Sequence, residues 1–152
     1  PIRPLKGETL LIETAQRPEQ IYNRGVFIVP SHEENRYRVG ATYESKLLTE
    51  SVTEAGRYEL EEKLKGLLKM PFKTVGQDWG IRPTSPDRKP MLGCLPGLEN
   101  VVIFNGLGTK GVSLAPHFSK QLAEWLSGKG KLQPEVNISR FKSLSSKFSE
   151  VV

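Results

Sequence analysis

Two stretches of this chain hold residue types and spacings that could do chemistry. Residues 105–112 read N-G-L-G-T-K-G-V, with Gly106, Gly108 and Gly111 on the spacing G-x-G-x-x-G. Such glycines let backbone approach a phosphate held at a helix N-terminus, provided a strand leads in and a helix leads out. Both flanks suit this. Residues 100–104 form a short β-branched and aromatic run, and residues 111–126 place Leu114, Phe118, Leu122 and Trp125 on one helical face. The chain downstream does not suit a dinucleotide unit, which needs a second parallel strand and an acid about 20 residues on for the ribose. The helix ends at S-G-K-G, and K-L-Q-P-E-V after it offers only Glu135. The helix end is therefore open to a ligand other than a nucleotide phosphate. The second stretch is residues 80–93, G-I-R-P-T-S-P-D-R-K-P-M-L-G, where Arg82 ends a strand-like run. A planar guanidinium there can hold a carboxylate through two parallel hydrogen bonds. It can equally form an ordinary strand-end salt bridge, to Asp78 or Asp87.

The elements that must position these residues are legible in outline. Residues 8–13, 25–30, 36–43 and 73–82 read as strands, the second and third joined by a polar turn as a hairpin. Thr53 can cap a helix over 54–70, where Leu60, Leu64, Leu67 and Leu68 repeat at helical spacing and Pro71 closes it. Residues 83–97, with Pro83, Pro86, Pro90 and Pro96, read as a shaped loop in which Asp87 bonds backbone two residues on. The fold class expected is α+β: a mainly antiparallel sheet with flanking helices, then a strand-turn-helix. The strands over 9–12, 26–29, 37–42 and 75–81 should share one sheet.

Composition narrows the function classes. At 152 residues the chain can bury a real core. It begins with Pro1, which suggests a fragment, and shows neither a signal peptide nor an apolar run of spanning length. One cysteine, Cys94, excludes an internal disulfide, and with only His32 and His117 no Cys/His zinc site can form. A reducing, cytoplasmic setting is expected, with Cys94 as a buried structural thiol. The net charge of +5 lies largely between Lys129 and Lys147 and reads as a solvated basic tail over 131–152. Without an arginine-aromatic patch it does not point to nucleic acid.

Taken together, G-x-R-P-x-x-x-D-x-x-P-x-x-G followed by N-G-L-G-T-K-G-V-S-L-A-P resembles the C-terminal half of FAD-dependent amine and amino-acid oxidases of the D-amino-acid oxidase and glycine oxidase group. V-F-I-V-P and R-Y-R-V-G-A-T resemble that group's substrate-domain strands, so the resemblance runs from about Arg3 to Leu126. It implies that residues 1–83 belong to a substrate-binding domain and 84–130 to the C-terminal part of an FAD-binding domain, whose N-terminal half would be this chain's partner. It implies hydride transfer from an amino acid or secondary amine to FAD, with no catalytic acid-base pair and no metal. The isolated chain would then be inactive and bind FAD weakly.

By the same resemblance Gly106, Leu107, Gly108, Thr109, Lys110 and Gly111 lie beside the flavin, where uncapped helix N–H groups would stabilise developing negative charge. Arg82 would grip the substrate carboxylate, and Tyr43, Phe27 and Thr109 would line the substrate pocket. Two positions depart from glycine oxidase-like sequences: Thr109 stands where they carry an arginine, and Phe27 where they carry a tyrosine. Both changes remove polar groups or shrink them, leaving room for a larger or more apolar amine than glycine. Two other readings remain open: a stand-alone anion-binding module without redox chemistry, and the oxidase half of a bifunctional tRNA-modifying enzyme.

Overall fold

The computed structural model describes residues 1–16, 18, 20–46, 48–142 and 144. They form two compact units, one of Leu5–Ile81 and one of Pro1–Pro4 with the chain from Arg82 onward.

The first unit is built on a sheet of β1 (Arg3–Glu13), β2 (Tyr22–Arg24), β3 (Val26–Pro30), β4 (Arg36–Gly40) and β5 (Lys73–Thr84), in the order β2-β3-β4-β1-β5. The pairs β1/β4, β2/β3 and β3/β4 are antiparallel, so the four expected strands do share one mainly antiparallel sheet. Register decides which side chains are buried. Leu10 and Ile28 both pair with Val39, and Ile12 pairs with Tyr37. These residues therefore share a face, and all are buried in one core with Val26. Helix α1 (Glu54–Leu67) contributes Leu60 and Leu64, and Leu68 follows it into the same core. Each such side chain contributes about 1.5–3 kcal/mol by leaving water. Thr53 is the N-cap, its hydroxyl accepting from the Gly56 N–H at 3.0 Å. The helix stops at Leu67 rather than Met70 because Leu68 turns extended, carrying its side chain into the core ahead of Pro71.

β5 runs two residues further than expected, through Pro83 to Thr84. Proline lacks a donor, and a sheet's outermost strand tolerates that loss.

In the second unit β6 (Met91–Leu95) pairs antiparallel with β7 (Leu98–Asn105). This corrects the expectation of a continuous loop over 83–97, where the prolines mask a five-residue strand. Helix α2 (Gly111–Leu126) matches the expected span, and its Phe118 and Leu122 pack on Leu92, with Phe104, Leu114 and Trp125 at the margin. The other edge of β6 receives residues 136–137, through Val136 O accepting the Leu92 N–H at 2.8 Å and a parallel bridge from Leu92 to Asn137. The segment taken as the start of a solvated tail thus buries Leu132, Val136 and Ile138. Residues 145–152 of that tail lie outside the described residues. β7 meets no second strand among the described residues, and its Leu98, Val101 and Val102 are 43%, 41% and 39% exposed.

Candidate functional site

The glycine-rich turn is held against the end of β5. Thr84 forms an antiparallel bridge with Leu107, which sets Arg82, two residues earlier on the same strand, in the element that supports the turn. Gly106 and Gly108 have φ of +73° and +55°, a region costly for any residue with a Cβ. Their missing side chains also face inward. A Cβ on Gly106 would lie 3.2 Å from Met91 and 3.4 Å from Ser85, and one on Gly108 would lie 3.3 Å from Thr84 Oγ1. That hydroxyl is buried beneath the turn without a hydrogen-bond partner, so close packing shapes the turn from below. Gly111 differs: its φ is −54°, and an added Cβ would make only an ordinary contact with Leu107 at 3.6 Å. The pattern's third glycine is an ordinary helical residue.

With the glycines turned inward, the outer side of the turn is backbone followed by the first turn of α2. No side chain caps α2, whose N-cap is Lys110, and its first turn holds no acid. Val112 there is 95% exposed. Unpaired N–H groups, the positive end of the helix dipole and the Lys110 ammonium together make a donor-rich patch suited to an electron-rich acceptor. Leu107 and Gly108 are half-buried, whereas Thr109 and Lys110 are exposed.

Arg82 is half-buried. The two carboxylates weighed as its ion partners both bond other arginines. Asp78 meets Arg38 Nη1 at 2.5 Å, and Asp87 receives Arg140 Nε at 2.8 Å and Nη2 at 3.1 Å. Asp87 also accepts from the Lys89 N–H at 3.2 Å, the bond two residues on that its loop position suggested. The Arg140 hydrogen bonds hold its carboxyl below the usual range.

Phe27 and Tyr43 belong to the first unit. Phe27 pairs with Gly40 on the sheet face away from α1, its ring so close that a Cβ on Gly40 would lie 2.7 Å from it. Tyr43 is 65% exposed and edges a hollow of about 180 Å³ beside the first turn of α1, lined also by Lys6, Glu8, Thr49 and Gly56. The two aromatics thus stand in different surroundings. Cys94 is half-buried, not buried, its thiol donating to the Glu99 carbonyl at 3.1 Å. Among the described residues no group of three or more His, Cys, Asp or Glu is placed to hold a metal, and no helix is long and apolar enough to cross a membrane.

A buried polar cluster in the first unit was not singled out from sequence. Lys6 and Glu8, 2% and 3% exposed, form an ion pair at 3.0 Å. Lys6 also donates to Thr49 Oγ1 at 2.7 Å and Ser51 O at 2.6 Å, while Glu8 accepts from the Thr53 N–H and hydroxyl and from Gln77 Nε2. Burial opposes the charge on Glu8, and those donors outweigh it, holding its pKa below the ordinary value. A signal existed: Lys6, Glu8, Leu10 and Ile12 share one strand parity, so two charges sit in line with core residues.

The family model described as FAD dependent oxidoreductase matches residues 1–125. The chain belongs to this family of FAD-dependent oxidoreductases. Among curated relatives, glycine oxidase of Pseudomonas aeruginosa is 29% identical over 135 residues, covering 85% of this chain and 36% of the relative. The tRNA 5-methylaminomethyl-2-thiouridine biosynthesis bifunctional protein of Idiomarina loihiensis is 28% identical over 156 residues, covering 93% of this chain and 25% of its own length. Among solved structures, glycine oxidase from Geobacillus kaustophilus superposes with a TM-score of 0.73 at 25% identity, over 86% of this chain and 36% of that one. The chain therefore spans about a third of the length of the glycine oxidases it matches. The donor patch fits the family's cofactor. It is uncapped, free of acid in the first helical turn and flanked by a cation, as the acceptor-rich pyrimidine edge of a flavin requires.

Proposed function

We propose that this chain is the C-terminal part of a flavoprotein that oxidises an amino acid or secondary amine. In this reading residues 1–83 carry the substrate side, residues 84–130 carry the flavin side, and an N-terminal partner region supplies the rest of the FAD site. The observation that carries it is the Thr84–Leu107 bridge, which builds the Arg82 strand end and the donor-rich turn into one piece. When bound, FAD supplies the chemistry by accepting a hydride from the substrate carbon. This chain's residues bind and orient. Arg82 holds the substrate carboxylate by two parallel hydrogen bonds, the Gly106–Gly111 turn and the start of α2 donate N–H groups to the flavin edge, and Lys110 adds positive charge there. Phe27 and Thr109 stand where glycine oxidase-like sequences carry a tyrosine and an arginine, which suits an amine larger or more apolar than glycine.

Arg82→Lys in the flavin-bearing protein is the test. Lysine keeps the charge and loses the two-pronged grip, so kcat/KM for a carboxylate-bearing amine should fall by about one to two decades, the worth of a charge-assisted bond. FAD content should stay unchanged, and an amine lacking the carboxylate should be nearly indifferent. Lower thermal stability and flavin content with kcat/KM per bound flavin intact would make Arg82 a fold residue. A second reading, the oxidase half of a tRNA-modifying enzyme, is supported by the Idiomarina relative, which matches 93% of this chain. Turnover of an aminomethyl group on tRNA, with free amino acids ignored, would select it.

A further inference from the structure

The family model ends at residue 125, yet the chain beyond it grips the loop that follows Arg82. Leu132 and Val136 pack into the same core as Leu92 and α2, and Val136 and Asn137 lie along β6. This brings a short 3-10 turn, Ile138–Arg140, to the proline-rich loop. Arg140 enters the loop as a fork: Nε and Nη2 each bond a different oxygen of Asp87, and Nη2 also donates to the Lys89 carbonyl at 3.1 Å. Its own position is fixed by Nη1 donating to Asn137 O at 3.2 Å and by stacking on Phe141, 4.3 Å from the ring centre. The Arg140 side chain is 16% exposed and that of Asp87 38%, so water reaches the pair from the Asp87 side and its strength lies in the two-pronged geometry.

The gripped loop leads to the donor turn. Ser85, 1% exposed, donates its hydroxyl to the same Lys89 carbonyl at 2.6 Å, and its carbonyl accepts the Arg88 N–H at 3.1 Å. The Cβ of Ser85 lies 3.4 Å from where a Cβ of Gly106 would stand. Arg140 and Ser85 thus close one carbonyl between them, and Ser85 is part of the floor beneath Gly106.

We infer that Arg140 is a positioning residue: paired with Asp87, it clamps residues 85–89 and, through Ser85, sets the height of the Gly106–Gly111 turn against the ligand bound there. The link to flavin rests on the function proposed above; the clamp itself does not.

The test is hydrogen exchange and FAD affinity in the whole natural protein carrying Arg140→Ala, Asp87→Asn, both together, or Leu122→Ala as a lesion of the same core outside the segment that carries Arg140. The clamp predicts about tenfold faster exchange at Arg88, Lys89 and residues 108–110 in either single variant, and no further increase in the double. FAD should bind several-fold more weakly in each, and Arg140→Lys should recover part of the loss. Leu122→Ala should speed exchange in the C-terminal half of α2 and beyond while leaving FAD affinity near wild type at temperatures where the protein is folded. The inference is overturned if Arg140→Ala loosens the loop no more than Leu122→Ala does, if the two single effects add, or if the loop loosens while FAD affinity holds. If the wild-type protein binds no FAD, the flavoprotein reading fails, and the exchange data still decide the clamp.

Discussion

Replacing Lys6 with methionine would leave the Glu8 carboxylate buried without its counter-ion, and the size of the effect can be worked from its neighbours. Breaking one side of a buried ion pair costs about 3–5 kcal/mol because the remaining charge is stranded away from water. Glu8 would keep the Thr53 N–H at 2.8 Å, the Thr53 hydroxyl at 2.7 Å and Gln77 Nε2 at 2.6 Å, which places Lys6→Met at the lower end, about 3 kcal/mol. Glu8→Leu strands Lys6, which keeps Thr49 and Ser51 O, and it also orphans the Thr53 N–H, worth about 1–3 kcal/mol. Its cost should reach about 4–5 kcal/mol. The double variant strands no charge and should be destabilised only by the lost Thr53 contacts, about 1–3 kcal/mol. Urea denaturation followed by Trp79 fluorescence in a Trp125→Phe background would report this unit, since Trp79 lies on β5 and Trp125 packs in the other core. A double variant as damaged as the sum of the singles would refute the reasoning, because it would mean that the two charges do not compensate each other.

Two more outcomes are expected at particular residues. Because hydrogen bonds hold Glu8 below its usual pKa of 4.5, its contribution to stability is full above that value and is lost as pH falls through the lower folded value; denaturation midpoints should therefore drop below pH 4.5, and drop less in the Lys6→Met/Glu8→Leu variant. Gly108→Ala should cost about 1–2 kcal/mol through its φ of +55°, whereas Gly111→Ala, at helical φ, should be neutral or stabilising by up to about 1 kcal/mol; thermal melts of the two variants separate the glycine that shapes the turn from the one that merely completes the spacing.

The sequence carried the first unit's sheet and both helices because their signals are local. Alternation in β1, β3 and β4 and the leucine repeat in α1 each need only a few neighbours to be read. β6 was hidden because its five residues stand between Pro90 and Pro96, and its partner strand was read alone. The short β2 gave no pattern of its own. Residues 132–138 read as tail because three apolar residues among lysines acquire meaning only when β6 offers an edge to lie along. In the candidate site the turn and its helix were legible, but the direction of the glycines was not: spacing suggested room for a ligand, while the backbone shows Gly106 and Gly108 making room for Met91, Ser85 and Thr84. Arg140 was unreadable as a partner of Asp87 because 53 residues separate them.

β7 has β6 on one side and no strand on the other among the described residues, with Leu98, Val101 and Val102 partly in water. Such an edge is a template for any extended chain that meets it, including another copy of itself. The excess of positive charge, +5 over the whole sequence, keeps copies apart only within the reach of their fields, which added salt shortens. Solubility of the 152-residue chain on its own is thus a balance between a sticky strand and mutual repulsion. Dilute buffer favours the dispersed molecule, and concentrated salt exposes the cost of leaving that edge bare.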